Sequence, residues 1–318
     1  MIRIGYRSGV TGSCRISTLL SVWAVFLAAA VGAEAARLKV VTSFLPIYCF
    51  TANIAGDLAS IENLLPANVD PHDYQFTARD LRKISDADVI VLNGLGVDGW
   101  LERAISSADN RKSRVVARLA DGIPARQFIF DADEPWAQRG KFQSQSETRL
   151  PNPHIWLDPT LVETGVSNIC RALQSADPGH ARSYSSNTTA YVARLRALDE
   201  ELRAKADRFS HRDLVTDHNA FPYFARRYHL NVVGVLELVE DVGPAPEYLA
   251  RLMETIRNKQ IRVLFVVPPA PPREATQIAH DLGIATADLY TVETGVLKPD
   301  TYEFEMRQNM ESLAKYLR

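Results

Sequence analysis

Short apolar runs rich in β-branched residues alternate with amphipathic stretches along most of this chain, and that alternation constrains the fold more than any other feature. Leu38-Lys-Val-Val-Thr-Ser leads into a helical stretch near Ile47 to Gly56 and a second run at Ile61 to Leu65. Thr77 is placed to cap a helix through Ile84, followed by the run Asp88-Val-Ile-Val-Leu-Asn, a helix near Val97 to Ser107 and a run from Arg114 to Arg118. The second half repeats the pattern. Strands are expected near Asp213 to Thr216, Asn231 to Val235, Arg262 to Val267 and Ile284 to Leu289, with a last helix from about Tyr302 to Leu317. Strand–helix–strand grammar of this kind implies an α/β fold with mostly parallel sheets flanked by helices.

The first thirty-five residues stand outside this pattern. Arg3, Arg7 and Arg15 precede an apolar run from Ile16 to Val31, which ends in small residues and an Ala33-Glu34-Ala35 cleavage pattern. The run is too short to span a bilayer, which takes roughly twenty apolar residues. Residues 1–35 are therefore read as a secretory signal peptide cleaved near Ala35, delivering the product to a bacterial periplasm or the cell exterior. Cys14 precedes the apolar run, where a lipid-acceptor cysteine would not sit, so a free, soluble product is expected.

The 283 residues that remain (318 minus 35) exceed a comfortable single core and suit two lobes. Between the halves lies the longest helical signal, opening at Asp177-Pro178 and running to about Phe209 through Tyr191, Val192, Leu195, Leu198 and Leu202. The expected organisation is an N-terminal α/β lobe over 36–176, a linking backbone helix over 177–209 and a C-terminal α/β lobe over 210–318. A single long helix would make a stiff hinge, although periodicity alone also fits a packing helix inside one domain. Gln127 to Leu150 has no periodic apolar pattern and reads as a mobile surface loop.

Loss of three arginines and Glu34 takes the formal charge from −2 to −4, and no basic run of five or more residues exists. Nucleic acid is excluded as an expected partner. Cys49 and Cys170 sit in predicted helices of the first lobe; an oxidising compartment would permit a bridge, and two buried thiols fit equally.

The chemistry concentrates in three histidines: His72 in Val-Asp-Pro-His-Asp-Tyr-Gln, His154 in Asn-Pro-His-Ile-Trp-Leu-Asp-Pro, and His218 in Thr-Asp-His-Asn-Ala-Phe-Pro. Their separations, 82 and 64 residues, resemble no helical zinc motif, so spacing proves nothing. Context is more informative. Each lies in a loop or turn at the end of a predicted strand, where open α/β sheets place ligands. Singly, each reads more readily as a solvated loop histidine; together they describe a metal site assembled from distant parts of the chain, since neutral imidazoles suit zinc and other borderline ions.

Four segments carry a resemblance to a known family. Asn63-Leu-Leu-Pro-Ala-Asn-Val-Asp-Pro-His-Asp-Tyr-Gln, Asp86-Ala-Asp-Val-Ile-Val-Leu-Asn-Gly-Leu-Gly, Asn152-Pro-His-Ile-Trp-Leu-Asp-Pro and His218-Asn-Ala-Phe-Pro-Tyr-Phe-Ala-Arg-Arg-Tyr resemble, in that order, the zinc- and manganese-type (cluster A-I) solute-binding proteins of metal ABC transporters. The resemblance covers essentially the whole mature chain. It implies two α/β lobes joined by one long helix with a metal between them, His72 and His154 contributed by the first lobe and His218 by the second. Manganese-using members commonly carry glutamate at the position of His218, so histidine there implies Zn2+ ahead of Mn2+, in keeping with a nitrogen-rich shell.

The fourth ligand is less clear. Family members usually offer an aspartate after the last strand, and here Asp288-Leu-Tyr-Thr-Val-Glu-Thr-Gly leaves Glu293 and Asp288 as alternatives, Glu293 preferred because Asp288 is expected to lie within the strand; with neither, water would complete the shell. Two departures from the family pattern stand out. Gln127 to Leu150 lacks the histidine-rich character of many zinc-specific members, and Phe265-Val-Val-Pro-Pro-Ala-Pro-Pro and Val242-Gly-Pro-Ala-Pro replace the usual acidic segments of the second lobe.

The resemblance implies a monomeric binding protein, not an enzyme, that hands its ion to an inner-membrane ABC permease. A manganese- or iron-binding member, a periplasmic zinc enzyme and a zinc chaperone passing metal to a periplasmic partner could use the same three histidines. No H-E-x-x-H motif supplies the general base an enzyme would need.

Overall fold

The computed structural model describes residues 37–72, 74–107, 113–134, 136–137, 150–237, 244–269 and 272–318, with a few positions near the N terminus. The signal-peptide reading falls almost wholly outside the described residues. None of the described helices is long and apolar enough to cross a membrane.

Leu38–Arg318 form one compact unit containing two four-stranded parallel sheets. The first is built from β1 (Leu38–Thr42), β2 (Ala59–Asn63), β3 (Val89–Leu92) and β4 (Val115–Arg118) in the order β2-β1-β3-β4. The helices α1 (Leu45–Ala55), α2 (Ala78–Asp86) and α3 (Gly99–Ser107) connect them. All four residues of β3 are buried, as expected of a central parallel strand covered on both faces. At α2 the expected cap is present: Thr77 and Asp80 form a reciprocal capping box that satisfies two otherwise orphaned backbone amides.

Two long helices follow, α4 (Pro159–Ala176) and α5 (Ala181–Ala206). The helix expected from Asp177 starts later and ends sooner than the apolar pattern suggests. Pro178–His180 form a single 3-10 turn, because Asp177 is spent closing α4 and accepting from Tyr184 and His180, so the α-helix proper begins at Ala181. Its 26 residues span about 39 Å. Leu195, Leu198 and Leu202 on α5 are fully buried, each worth about 1.5–3 kcal/mol of apolar transfer. The helix packs on α1 and α4 of the first half and on the C-terminal helix of the second.

The second sheet comprises β5 (Asp213–His218), β6 (Asn231–Glu237), β7 (Val263–Val266) and β8 (Ala285–Asp288) in the order β6-β5-β7-β8. Helices α6 (Pro222–Arg227), α7 (Pro246–Asn258), α8 (Arg273–Leu282) and α9 (Thr301–Tyr316) complete it. The two sheets thus share one topology, and each has its switch point beside its first strand.

The halves do not have separate cores. One hydrophobic cluster runs through both, joining Phe44, Phe50 and Trp156 to Tyr191, Phe224 and Tyr302, while smaller clusters cover the outer face of each sheet. Phe50 and Tyr302 meet edge to face with ring centroids 4.8 Å apart. Cys49 and Cys170 are both buried and free; the Cys49 thiol donates to the Lys298 carbonyl, and burial pushes its pKa up.

The expectation of a surface loop over Gln127 to Leu150 requires correction in its first part. Phe128 and Ile129 pack against the core, and Trp136 is 2% exposed. The Ile129 amide donates to the Tyr223 hydroxyl, tying this segment to the second half, and the Asn152 amide donates to the Ile129 carbonyl within the first half. Residues 138–149 of that expectation lie outside the described residues.

Candidate metal centre

Each of the three histidines sits on a locally determined backbone, His218 at the carboxyl end of a strand and the other two in loops. His72 follows β2 in a turn closed by its own amide, which donates to Asp70 Oδ1 at 2.8 Å. Trp100 Nε1 donates to the Pro71 carbonyl at 3.1 Å and pins the same turn from α3. His154 precedes a 3-10 turn, Ile155–Leu157, that leads into α4. His218 is the last residue of β5, two positions beyond the expected end of that strand, and its amide donates to Asp217 Oδ1 at 2.7 Å. Asp217 also accepts from the Val267 amide, so it fastens the ends of β5 and β7 together; burial raises its pKa to about 6 despite those hydrogen bonds.

The three imidazoles converge, each offering one ring nitrogen within 4.8 Å of the others. His154 Nε2 and His218 Nε2 are 3.3 Å apart. Glu293 joins them from the loop after β8: its Oε1 lies 3.4 Å from His154 Nε2 and 3.6 Å from His72 Nε2, yet accepts no hydrogen bond. These separations match the edge of a tetrahedron with corners about 2.05 Å from its centre, roughly 3.3 Å. Three neutral imidazole nitrogens and one carboxylate oxygen so spaced can surround a single divalent ion. Asp288, the other acid considered, ends β8 as an exposed side chain.

Electrostatics suit a cation. Burial alone would raise the Glu293 carboxyl, but His154 and His72 outweigh it and hold the group well below the usual carboxylate range. His218 is pushed down to about 3, first by burial and then by the charge that His154 and His72 would carry, with Glu293 opposing. A neutral His218 keeps its lone pair available for a metal at any physiological pH.

The supporting shell was not legible as such in the sequence. Asn152 Oδ1 accepts from both the His154 amide and His154 Nδ1, while its amide group donates to Asp131 Oδ1 and the Asn219 carbonyl. Asn152 thereby connects a first-half histidine to the residue following His218. The Glu293 loop is held against the first half by Trp156 Nε1, which donates to the Thr291 carbonyl at 2.8 Å, and by the Gly295 amide, which donates to the Ala67 carbonyl at 2.8 Å. The signal available was Asn152 two residues before His154, in reach to orient its ring.

Fold and site together define a class: two-sheet α/β binding proteins whose ligand is held between the sheets by side chains from strand-end loops. A profile of the family described as "Zinc-uptake complex component A periplasmic" matches residues 40–316, and the chain belongs to that family. It is 29% identical over 282 residues to the "High-affinity zinc uptake system protein ZnuA" of Bacillus subtilis (strain 168), covering 87% of this chain and 86% of the relative. It is also 30% identical over 286 residues to the "Iron-binding protein YfeA" of Yersinia pestis, covering 88% and 86%. Among solved structures, the SBP FpvC of P. aeruginosa in complex with Ni2+ superposes with a TM-score of 0.74 at 28% identity, covering 88% of this chain and 97% of that one.

Proposed function

We propose that this protein captures Zn2+ outside the cytoplasm and delivers it to an ABC permease, with His72, His154, His218 and Glu293 as the four ligands. The observation that carries the reading is the convergence of three imidazole nitrogens within 4.8 Å of one another, with an otherwise unbonded Glu293 oxygen 3.4 and 3.6 Å from two of them. A shell of three nitrogens and one oxygen favours zinc over manganese, which prefers oxygen-rich octahedral surroundings. Family membership supports the transport role. The ion is cargo, so the site must release it as well as bind it. The mature protein acts as a monomer after cleavage near Ala35; transfer to a periplasmic zinc chaperone is a second possible outlet for the same ion.

Metal analysis of purified mature protein after dialysis, beside His72→Ala, His154→Ala and His218→Ala variants, tests this. One zinc per chain, lost or weakened in all three variants, is expected. Manganese or iron bound in preference to zinc would overturn the cargo assignment and leave the site intact. Retention of metal by all three variants would overturn the site.

A further inference from the structure

A second concave feature, of about 440 Å³, lies away from the histidines and is lined from three parts of the fold. Arg126 and Thr160 come from the first half, Arg203 from α5, and Arg226, Arg227 and His229 from the end of α6 in the second half. In a chain whose formal charge is −2, such a concentration of guanidinium groups in one hollow is unexpected.

Their charges are only partly compensated. Arg227 is neutralised by a bidentate ion pair with Asp199. Arg226 donates to the neutral Gln127 carbonyl and stacks over the Tyr223 ring, so it is positioned without being paired. Among the described residues, neither Arg126 nor Arg203 forms an ion pair or a side-chain hydrogen bond, and both are exposed. The one carboxylate on the wall, Asp158, is buried and already accepts from the Thr160 amide and hydroxyl. Three arginines without a hydrogen-bonded ion pair among the described residues therefore line the hollow, with Asp158 and nearby Glu134 offsetting part of the Arg226 charge. A concave wall of one sign focuses its field on the enclosed volume, and guanidinium forks match paired anionic oxygens.

We propose that this hollow binds a small multivalent oxyanion, a condensed phosphate or a di- or tricarboxylate, bridging the two halves of the molecule. The open hollow accommodates an ion of this size, and its lining residues are drawn from both halves. An occupant of this kind ties Arg126 to Arg203 and Arg226 and adds a second link between halves beside the metal site.

The test is calorimetric titration of the metal-free full chain with inorganic pyrophosphate and, separately, tricarballylate, in about 150 mM sodium chloride so that diffuse attraction is screened. Metal-free protein is used so that chelation contributes no heat. Saturable binding of one anion per chain with Kd below about 1 mM is expected, weakened at least tenfold in an Arg126→Glu/Arg203→Glu double variant whose zinc stoichiometry is unchanged. The single variant Arg203→Gln, a neutral change on an exposed helix position, is expected to weaken binding in the same direction and guards against misfolding of the double variant. Binding of pyrophosphate alone identifies a phosphate site, and of tricarballylate alone a polycarboxylate site. Absence of saturable binding by either anion, or equal affinity in wild type and variants, would overturn the proposal.

Discussion

His154 Nδ1 lies 2.9 Å from Asn152 Oδ1, and the remaining bonds of Asn152 fix which end of its amide faces the ring. The NH2 group donates to Asp131 Oδ1 and to the Asn219 carbonyl, so the oxygen must face His154. An oxygen only accepts; Nδ1 therefore carries the proton and Nε2 presents its lone pair to the site. Asn152→Ala removes this tautomer lock. Metal affinity is expected to fall about 10- to 100-fold, the usual cost of losing a ligand's orienting partner, as read by competition with a chromophoric chelator. An unchanged affinity would show that His154 needs no such support.

His218 sets a distinct acid sensitivity in the metal-free protein. Its pKa in the folded chain is about 3, against an ordinary 6.5. As pH falls below 6.5 the unfolded chain takes up a proton that the folded chain refuses, so stability present above 6.5 is lost progressively towards the folded value. The slope approaches about 1.4 kcal/mol per pH unit for one proton. Between pH 6.5 and about 5, where buried Asp217 and Asp98 also titrate near 6 in both proteins, His218→Gln is expected to remove the His218 contribution to the dependence of the urea midpoint on pH. Identical slopes for wild type and variant would contradict a neutral, enclosed His218.

Trp156 connects the core to the metal site. Its ring is fully buried against Phe44, and its Nε1 donates to the Thr291 carbonyl two residues before Glu293. Trp156→Phe keeps most of the apolar area but leaves that carbonyl without its donor, at a cost of about 1–3 kcal/mol. A lower midpoint in denaturant and a several-fold weaker hold on zinc are expected together, because the same bond holds the loop that presents Glu293. A stability loss with no change in zinc affinity would separate the loop from the site.

These dependencies explain what could be read in advance. Strands such as Val89–Leu92 and Val263–Val266 announce themselves because a parallel strand buried on both faces is apolar throughout. β2 was displaced by two residues for the converse reason. Ser60 and Glu62 make Ala59–Asn63 look polar at the sheet edge, while the buried Leu64 and Leu65 beyond its end supply the apolar signal. The docking of Phe128, Ile129 and Trp136 has no period at all, since isolated anchors fill gaps in a surface made by other elements. Sequence context selected the three histidines and placed Asn152 two residues before His154, but the bonds that fix Asn152's amide and hold the Glu293 loop, to Asp131, Asn219 and Thr291, join residues far apart in the chain, and no local pattern encodes them.

Glu293 offers the sharpest discrimination among descriptions of the site. With its carboxylate as a ligand, a divalent ion and three neutral imidazoles leave a net charge of +1 in a buried position; with glutamine there, the charge is +2. Glu293 is 4% exposed, so little water screens the difference, and its oxygen sits within 3.6 Å of both His72 and His154. Glu293→Gln conserves volume and is expected to weaken zinc binding by about 100-fold or more, an amount of roughly 3 kcal/mol that is modest beside the cost of an uncompensated buried charge. Asp288→Asn, at an exposed strand end, is expected to leave affinity unchanged. If the Glu293 variant binds zinc as tightly as wild type, the fourth position belongs to water, and the depressed carboxyl serves only to pair with His72 and His154 in the metal-free protein.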